Sequence, residues 1–127
     1  MLGLTKSTVQ KFNRKQFFVV ILFSNDNLFF EAYEVIGDEF YCIIQYIGPE
    51  KEASQFKYKF VLDSGAEEIT VCNVASSYSM EVKEVHSMGK CVELFCDTME
   101  RFLDEDRNLQ FHVEIIRVKN VHKIILL

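Results

Sequence analysis

The chain has 127 residues, including twelve Phe, five Tyr and a single Pro, and it carries a net charge of −5. This length suits one domain with a sizeable core, and the apolar, aromatic-rich composition is unlike that of a disordered chain. No apolar run approaches the roughly 18 residues that a membrane span requires, so we expect no membrane span.

The charge is unevenly distributed along the chain. All nineteen acidic residues lie between Asp26 and Glu114, so that residues 16–116 hold seven basic side chains against nineteen acids, a net charge of −12. An acidic body argues against nucleic acid as a main partner, because phosphate binding needs a basic face. Residues 1–15 and 117–127 carry basic charges and no acids; we interpret them as solvated ends, with contact to nucleic acid or anionic lipid as the alternative.

The first predicted element after the basic segment 1–15 is a strand at residues 16–24. Both faces of this strand are apolar, which indicates burial on both sides or an exposed face that a partner covers. One face holds Phe17, Val19, Ile21 and Phe23, and the other holds Phe18, Val20 and Leu22. A turn at 25–27 and a strand at 28–35 complete a predicted hairpin, because Asn and Asp accept the left-handed conformations of turns.

Residues 40–62 predict two more strands, separated by Gly48 and Pro49. Proline cannot donate a hydrogen bond to a ladder, and glycine accepts the dihedral angles of a turn, so this dipeptide ends the first strand. The second strand alternates strictly, with apolar side chains on one face and Lys57 and Lys59 on the other. Its apolar face holds Phe56, Tyr58, Phe60 and Leu62.

The rest of the chain continues the pattern of short strands. The remaining predicted elements are a strand at 67–73, a long connection at 74–90 with one short strand, a strand at 91–95, a helix near 97–103, an acidic turn at 104–108, a strand at 109–118, and a last strand or an apolar tail at 119–127. Most connections are too short for parallel crossovers, so the sheets are predicted to be antiparallel. The predicted fold is all-β, an antiparallel sandwich of seven to eight strands with one short helix.

No catalytic, cofactor or metal site is predicted from the residue pattern. The four cysteines form no CxxC pair and have no ligand-spaced histidine, so we interpret Cys42, Cys72, Cys91 and Cys96 as buried, reduced thiols. The acidic turn at 104–108 lacks the ligand spacing of a calcium loop. His112 and Glu114 share one strand face and could serve as a base with its orienting carboxylate in a hydrolase. A hydrated strand face is the preferred interpretation of that pair.

A longer pattern resembles the seven-in-absentia (Sina) family. Residues 47–58 match the family's core signature of an Ile-Gly pair, a polar turn with an alanine, and a Phe-x-Tyr strand. The apolar strand from Lys15 to Phe23, the Ile69-Thr70 pair, and the segment from Cys91 through Phe102 to Leu109 resemble three further family features. The match covers roughly residues 12–118.

The resemblance implies a TRAF-like sandwich at residues 16–118 that binds target or adaptor peptides and dimerises. In the family this domain follows a RING finger and two zinc fingers, and members act as ubiquitin ligases that send targets to the proteasome. Four Cys and three His cannot build those fingers, so we expect no catalytic activity from this chain alone, and ligase activity only with a RING elsewhere in a longer protein. A location in the cytoplasm, with the nucleus as a second compartment, is expected.

Two alternatives follow from the departures from the family pattern. The family's Trp and Pro after the Leu-Thr pair are replaced here within Val71–Ala75, and its first strand has no recognised counterpart. The chain could therefore be a stand-alone pseudo-ligase or a regulatory binder that competes for ligase targets. The expected partners are target or adaptor peptides, a second copy, or a dimeric Sina-type ligase.

If a strand is missing from the sandwich, another strand becomes an edge with unpaired main-chain groups. We expect residues 16–24 to be that edge, with Phe18, Val20 and Leu22 as the apolar side chains for a peptide or a second copy. The Val20→Lys variant is then expected to fold as a monomer and to lose association, measured by pull-down and sedimentation. Unchanged association would contradict this assignment.

Overall fold

The computed structural model describes residues 27–118 in full, together with the backbone of residues 3–9 and 17–24. Nine strands and three short helices are present in these described residues. In chain order they are β1 (Gly3–Val9), β2 (Phe17–Ser24), β3 (Asn27–Ile36), β4 (Glu39–Tyr46), α1 (Glu50–Ala53), β5 (Phe56–Asp63), β6 (Glu68–Val74), β7 (Ser76–Ser77), α2 (Val82–Ser87), β8 (Val92–Phe95), α3 (Cys96–Glu100) and β9 (Leu109–Arg117).

The strands form two sheets that pack face to face, as predicted. The four-stranded sheet has the order β1-β9-β5-β6 and is antiparallel throughout. The five-stranded sheet has the order β2-β3-β4-β7, and β8 pairs antiparallel with β4 beside β7. Among the described strands, β4 and β7 alone pair in parallel, over two residues.

The core lies between the two sheets and is filled mainly by aromatic rings. Phe40 of β4 lies 6.0 Å from Phe60 of β5, measured between ring centroids, and Tyr33 meets Phe111 edge to face at 5.5 Å. All four residues of the apolar face of β5 are buried, whereas Lys57 is exposed. The period-two alternation of β5 is therefore confirmed, and it decides which face of the strand enters the core.

Gly48 and Pro49 carry the chain from one sheet to the other. They follow the end of β4 and precede α1, so the strands they separate, β4 and β5, lie in opposite layers. A Cβ atom on Gly48 would overlap the ring of Tyr46. The Gly48 carbonyl also accepts a hydrogen bond of 3.1 Å from the Ser77 hydroxyl, so the crossing is held closely against β7.

Three differences from the sequence analysis concern short or polar elements. β1 was not predicted, because its polar residues show weak periodicity; it forms by pairing over seven residues with β9. α1 and α2 were also missed, since helices of four and six residues are too short to show a 3.6-residue period. The predicted helix at 97–103 is α3, which begins and ends earlier, at Cys96 and Glu100.

Two predicted features lie outside the described residues. These are the strand or tail at 119–127 and most of the turn at 25–27, although Ser24 and Asn27 are register partners in the predicted hairpin.

The central rings predict a large cost for truncation. Phe60→Ala is expected to lower the free energy of unfolding by about 3–5 kcal/mol, because it leaves a cavity between the layers. The matched control, Lys57→Ala on the exposed face of the same strand, is expected to change it by less than about 0.5 kcal/mol. Chemical denaturation measures both variants, and similar losses would contradict the assignment of the faces.

Candidate functional site

Strand β2 lies at one end of the five-stranded sheet. Within the part of the chain that the structure describes, it pairs only with β3. Its place in the strand order makes β2 an edge of that sheet, which is the position that strand addition requires.

The register of β2 gives Phe18, Val20 and Leu22 a particular position. Their register partners on β3 are Tyr33, Glu31 and Phe29, and each of these three side chains is buried. Residues directly opposite each other in an antiparallel pair share a face of the sheet. The three predicted residues thus occupy the positions of β2 that correspond to the core side of β3, and their role in binding stays a prediction.

The four-stranded sheet presents a second edge at β6. This strand pairs with β5, and the exposed residues Glu68, Thr70 and Cys72 occupy alternate positions along it. Glu67, just before the strand, forms a 3.5 Å ion pair with Arg101, and both side chains are about half exposed. An exposed ion pair of this kind contributes little stability.

Helix α2 covers part of the outer face of the five-stranded sheet. Val85 is fully buried there and packs with Ile43 of β4 and with Cys91. The ring of His86 lies 3.9 Å from that of Tyr41, measured between centroids. The helix therefore gives this face a small second core and a partly open groove beside it. The residues lining the groove are Ala32, Tyr33, Glu34, Tyr41, Ile43, Val82 and His86.

Beyond the helix, the same outer face carries two neighbouring carboxyl groups. Glu39 of β4 and Glu93 of β8 are close enough to hydrogen-bond, and the Tyr41 hydroxyl donates to Oε2 of Glu39 over 2.9 Å. These two hydrogen bonds lower the pKa of Glu39. The pKa of Glu93 is raised, chiefly because it shares a proton with Glu39. The bond to Glu39 also raises the pKa of Tyr41 to about 12.

The aromatic ring of Phe95 lies beside this carboxyl pair and is 64% exposed. Phe95 is the register partner of Glu39, and Glu93 is the partner of Tyr41, so the acidic and aromatic groups alternate across two strands. A shallow groove runs between them, lined by Glu39, Glu93, Leu94, Phe95 and Thr98. Sequence analysis did not find this surface, because it joins strands that are far apart in the chain.

The cysteines are free thiols, as predicted, but they are not all buried. Cys42, Cys91 and Cys96 are buried, and burial raises the pKa of the Cys42 and Cys91 thiols. The prediction was wrong for Cys72, which is exposed because Ile69 and Val71 set the alternation of β6 and turn Cys72 outward. In the described ranges, no group of three or more His, Cys, Asp or Glu side chains could hold a metal ion.

His112 and Glu114 lie on the outer face of the four-stranded sheet. Glu114 contacts the ammonium group of Lys59 at 4.0 Å, and the register partner of His112 on β5 is Val61. The structure thus places His112 and Glu114 on one outward-facing side of β9, as the period-two alternation predicts.

The two packed sheets define a β-sandwich with open strand edges among its described strands. The family model of the Sina, TRAF-like domain matches residues 10–114. This match covers most of the chain, so the chain belongs to the Sina family, and the predicted resemblance is confirmed. No curated protein matches the sequence. None of the described helices has the length and apolar character needed to cross a membrane.

Cys72 is predicted to be the one described cysteine that reacts rapidly with a thiol reagent in the folded chain. Brief treatment with iodoacetamide, followed by peptide mass spectrometry, is expected to modify Cys72 while Cys42, Cys91 and Cys96 react only after denaturation. Cys72→Ser serves as the control and should remove the rapid phase. Equal modification of all four thiols would contradict the packing described here.

Proposed function

We propose that this domain recognises target or adaptor polypeptides for Sina-type ubiquitin ligases and so acts in ubiquitin-dependent protein degradation. The family match over residues 10–114 supports this role. The sandwich, with its core closed between two sheets, is consistent with a module that works through its edges and outer faces. The free thiols support a reducing compartment, and we propose the cytoplasm, with the nucleus as a second location.

The proposed mode of binding is strand addition at β2. The strand has eight residues and is paired on one side by β3. A peptide that adds on the other side would gain main-chain hydrogen bonds, and its alternate side chains would face the two surfaces of the sheet. The same edge could pair with a second copy or with a dimeric Sina-type ligase, which gives a route to homodimers and heterodimers.

The pairing of β2 with β3 makes Val20→Lys an ambiguous test of strand addition. Val20 is the partner of the buried Glu31, so a lysine at residue 20 would test the fold as much as the edge. Proline is a sharper probe, because it removes a backbone N–H and is tolerated in a strand only where that N–H points away from the sheet. The N–H groups of consecutive residues in a strand point alternately toward and away from a given neighbouring strand.

The Val19→Pro and Val20→Pro variants are therefore expected to behave differently. One should lower the melting temperature by breaking the ladder with β3, and the other should fold normally and lose binding. Binding is measured by pull-down on an immobilised dimeric Sina-type ligase and by sedimentation of the chain alone. The matched controls, Thr70→Pro and Val71→Pro on the β6 edge, provide a second such pair. Full association by the stably folded β2 variant would contradict strand addition there.

A further inference from the structure

The outer face of the five-stranded sheet carries a regular pattern of acidic and apolar side chains near its β8 edge. On this face, residues that pair directly across β3, β4 and β8 form two neighbouring rows. One row is apolar, acidic, apolar, and the next is acidic, aromatic, acidic. The rows are Ile36, Glu39 and Phe95, followed by Glu34, Tyr41 and Glu93, and together we call these six residues the acidic face.

The apolar members of the acidic face are unusually open to solvent. Ile36 is 49% exposed and Phe95 is 64% exposed. Such side chains are unremarkable when scattered singly, but here they border the same carboxyl group, that of Glu39. An apolar group on a partner could therefore cover a ring while a charged group beside it reached the carboxylate.

The negative charge of the acidic face is not balanced within its own strands. β3, β4 and β8 contain no Lys or Arg. The ion pairs found within residues 27–118 involve Glu67 and Glu114, and neither Glu39 nor Glu93 lies within ion-pair distance of a Lys or Arg of that range. The imidazole of His86 is the basic group whose charge acts on Glu39, and it approaches from α2. Ionising both of these neighbouring carboxyl groups places two like charges side by side, and a cation beside them would offset that repulsion.

We propose that the acidic face binds an extended segment of another protein in which, counting every second residue, Lys or Arg alternates with aliphatic or aromatic residues, so that both kinds of side chain lie on the same side of the segment. Side chains at every second position of a strand point to the same side, and the two rows of the face are also two residues apart along β3, β4 and β8. Such a segment therefore places a basic and an apolar side chain over successive rows. Its basic groups would meet Glu34, Glu39 and Glu93, and its apolar groups would contact Ile36 and Phe95. This inference rests on the proposed function, since it specifies the chemistry of a bound polypeptide.

The edge of β8 adds a second source of affinity. Among the described strands, β8 pairs with β4 alone, so its other side is open to main-chain pairing. The strand has four residues, which is short for a peptide site that depends on the backbone alone. Recognition by side chains on the acidic face is therefore needed to make binding specific.

The test compares three fluorescein-labelled ten-residue peptides by fluorescence anisotropy on the full chain. The first has Lys alternating with Leu or Val at every second position and Thr at the positions between them, the second has Glu in place of Lys, and the third has Gln in place of Lys. The Lys peptide is expected to bind about tenfold or more tightly than the Gln peptide, and the Glu peptide should bind most weakly. Raising NaCl from about 0.05 M to about 0.5 M should weaken the Lys peptide selectively, because salt screens exposed charges.

Two variants and one matched control locate the binding. Glu39→Gln/Glu93→Gln and Phe95→Ser are each expected to weaken the Lys peptide by about tenfold. Glu50→Gln/Glu105→Gln removes the same charge from exposed positions elsewhere and should leave affinity nearly unchanged. Circular dichroism and thermal melting confirm that all three variants remain folded.

The possible outcomes separate this inference from the proposed function. Two outcomes would show that the acidic face is not the site and would leave the proposed function standing. In one, the chain binds peptides of a random library with no preference for Lys or Arg. In the other, the Glu39→Gln/Glu93→Gln variant binds the Lys peptide as tightly as the native chain does. If no peptide of the library binds, both fail. If Phe95→Ser instead dissociates a dimer in sedimentation, the face is a contact between copies, which overturns the proposal.

Discussion

The packing of β4 against β5 across the two layers is the contact on which the rest of the sandwich depends. Phe40 and Phe60 meet there, and Phe111 from β9 lies 4.9 Å from Phe60 between ring centroids. Because the two strands are joined through Gly48, this contact brings the two sheets together within one short stretch of chain. Every other strand then extends one of the two sheets outward from β4 or β5.

This central contact leaves the two outer faces free to differ. The outer face of the four-stranded sheet carries mixed charges, among them the Lys59 and Glu114 pair. The outer face of the five-stranded sheet is covered in part by α2 and carries two neighbouring carboxyl groups near β8. The difference follows from sequence, because the outward positions of β3, β4 and β8 contain acids and no Lys or Arg. A single core thus supports two surfaces with different electrostatic properties.

Sequence reasoning found the strands whose apolar side chains repeat every two residues, and it found the sandwich for the same reason. It could have placed Cys72 on the exposed side, since the apolar Ile69 and Val71 favour the inner side of the same strand and Cys72 alternates with them. It could not find β1, whose own residues are polar and which exists through its partner β9. Sequence reasoning also could not find the acidic face, because Glu39 and Glu93 become neighbours only through the pairing of β4 with β8.

The pairing of β1 with β9 has a consequence for how the protein is made. These strands lie near opposite ends of the chain, at Gly3–Val9 and Leu109–Arg117. Pairs so distant in sequence pay a high loop-closure entropy and form slowly. During synthesis β1 leaves the ribosome long before β9 is made, so the four-stranded sheet is completed only after β9 has emerged. Until then the nascent polypeptide exposes an unfinished sheet, the state in which a newly made β protein most needs a chaperone.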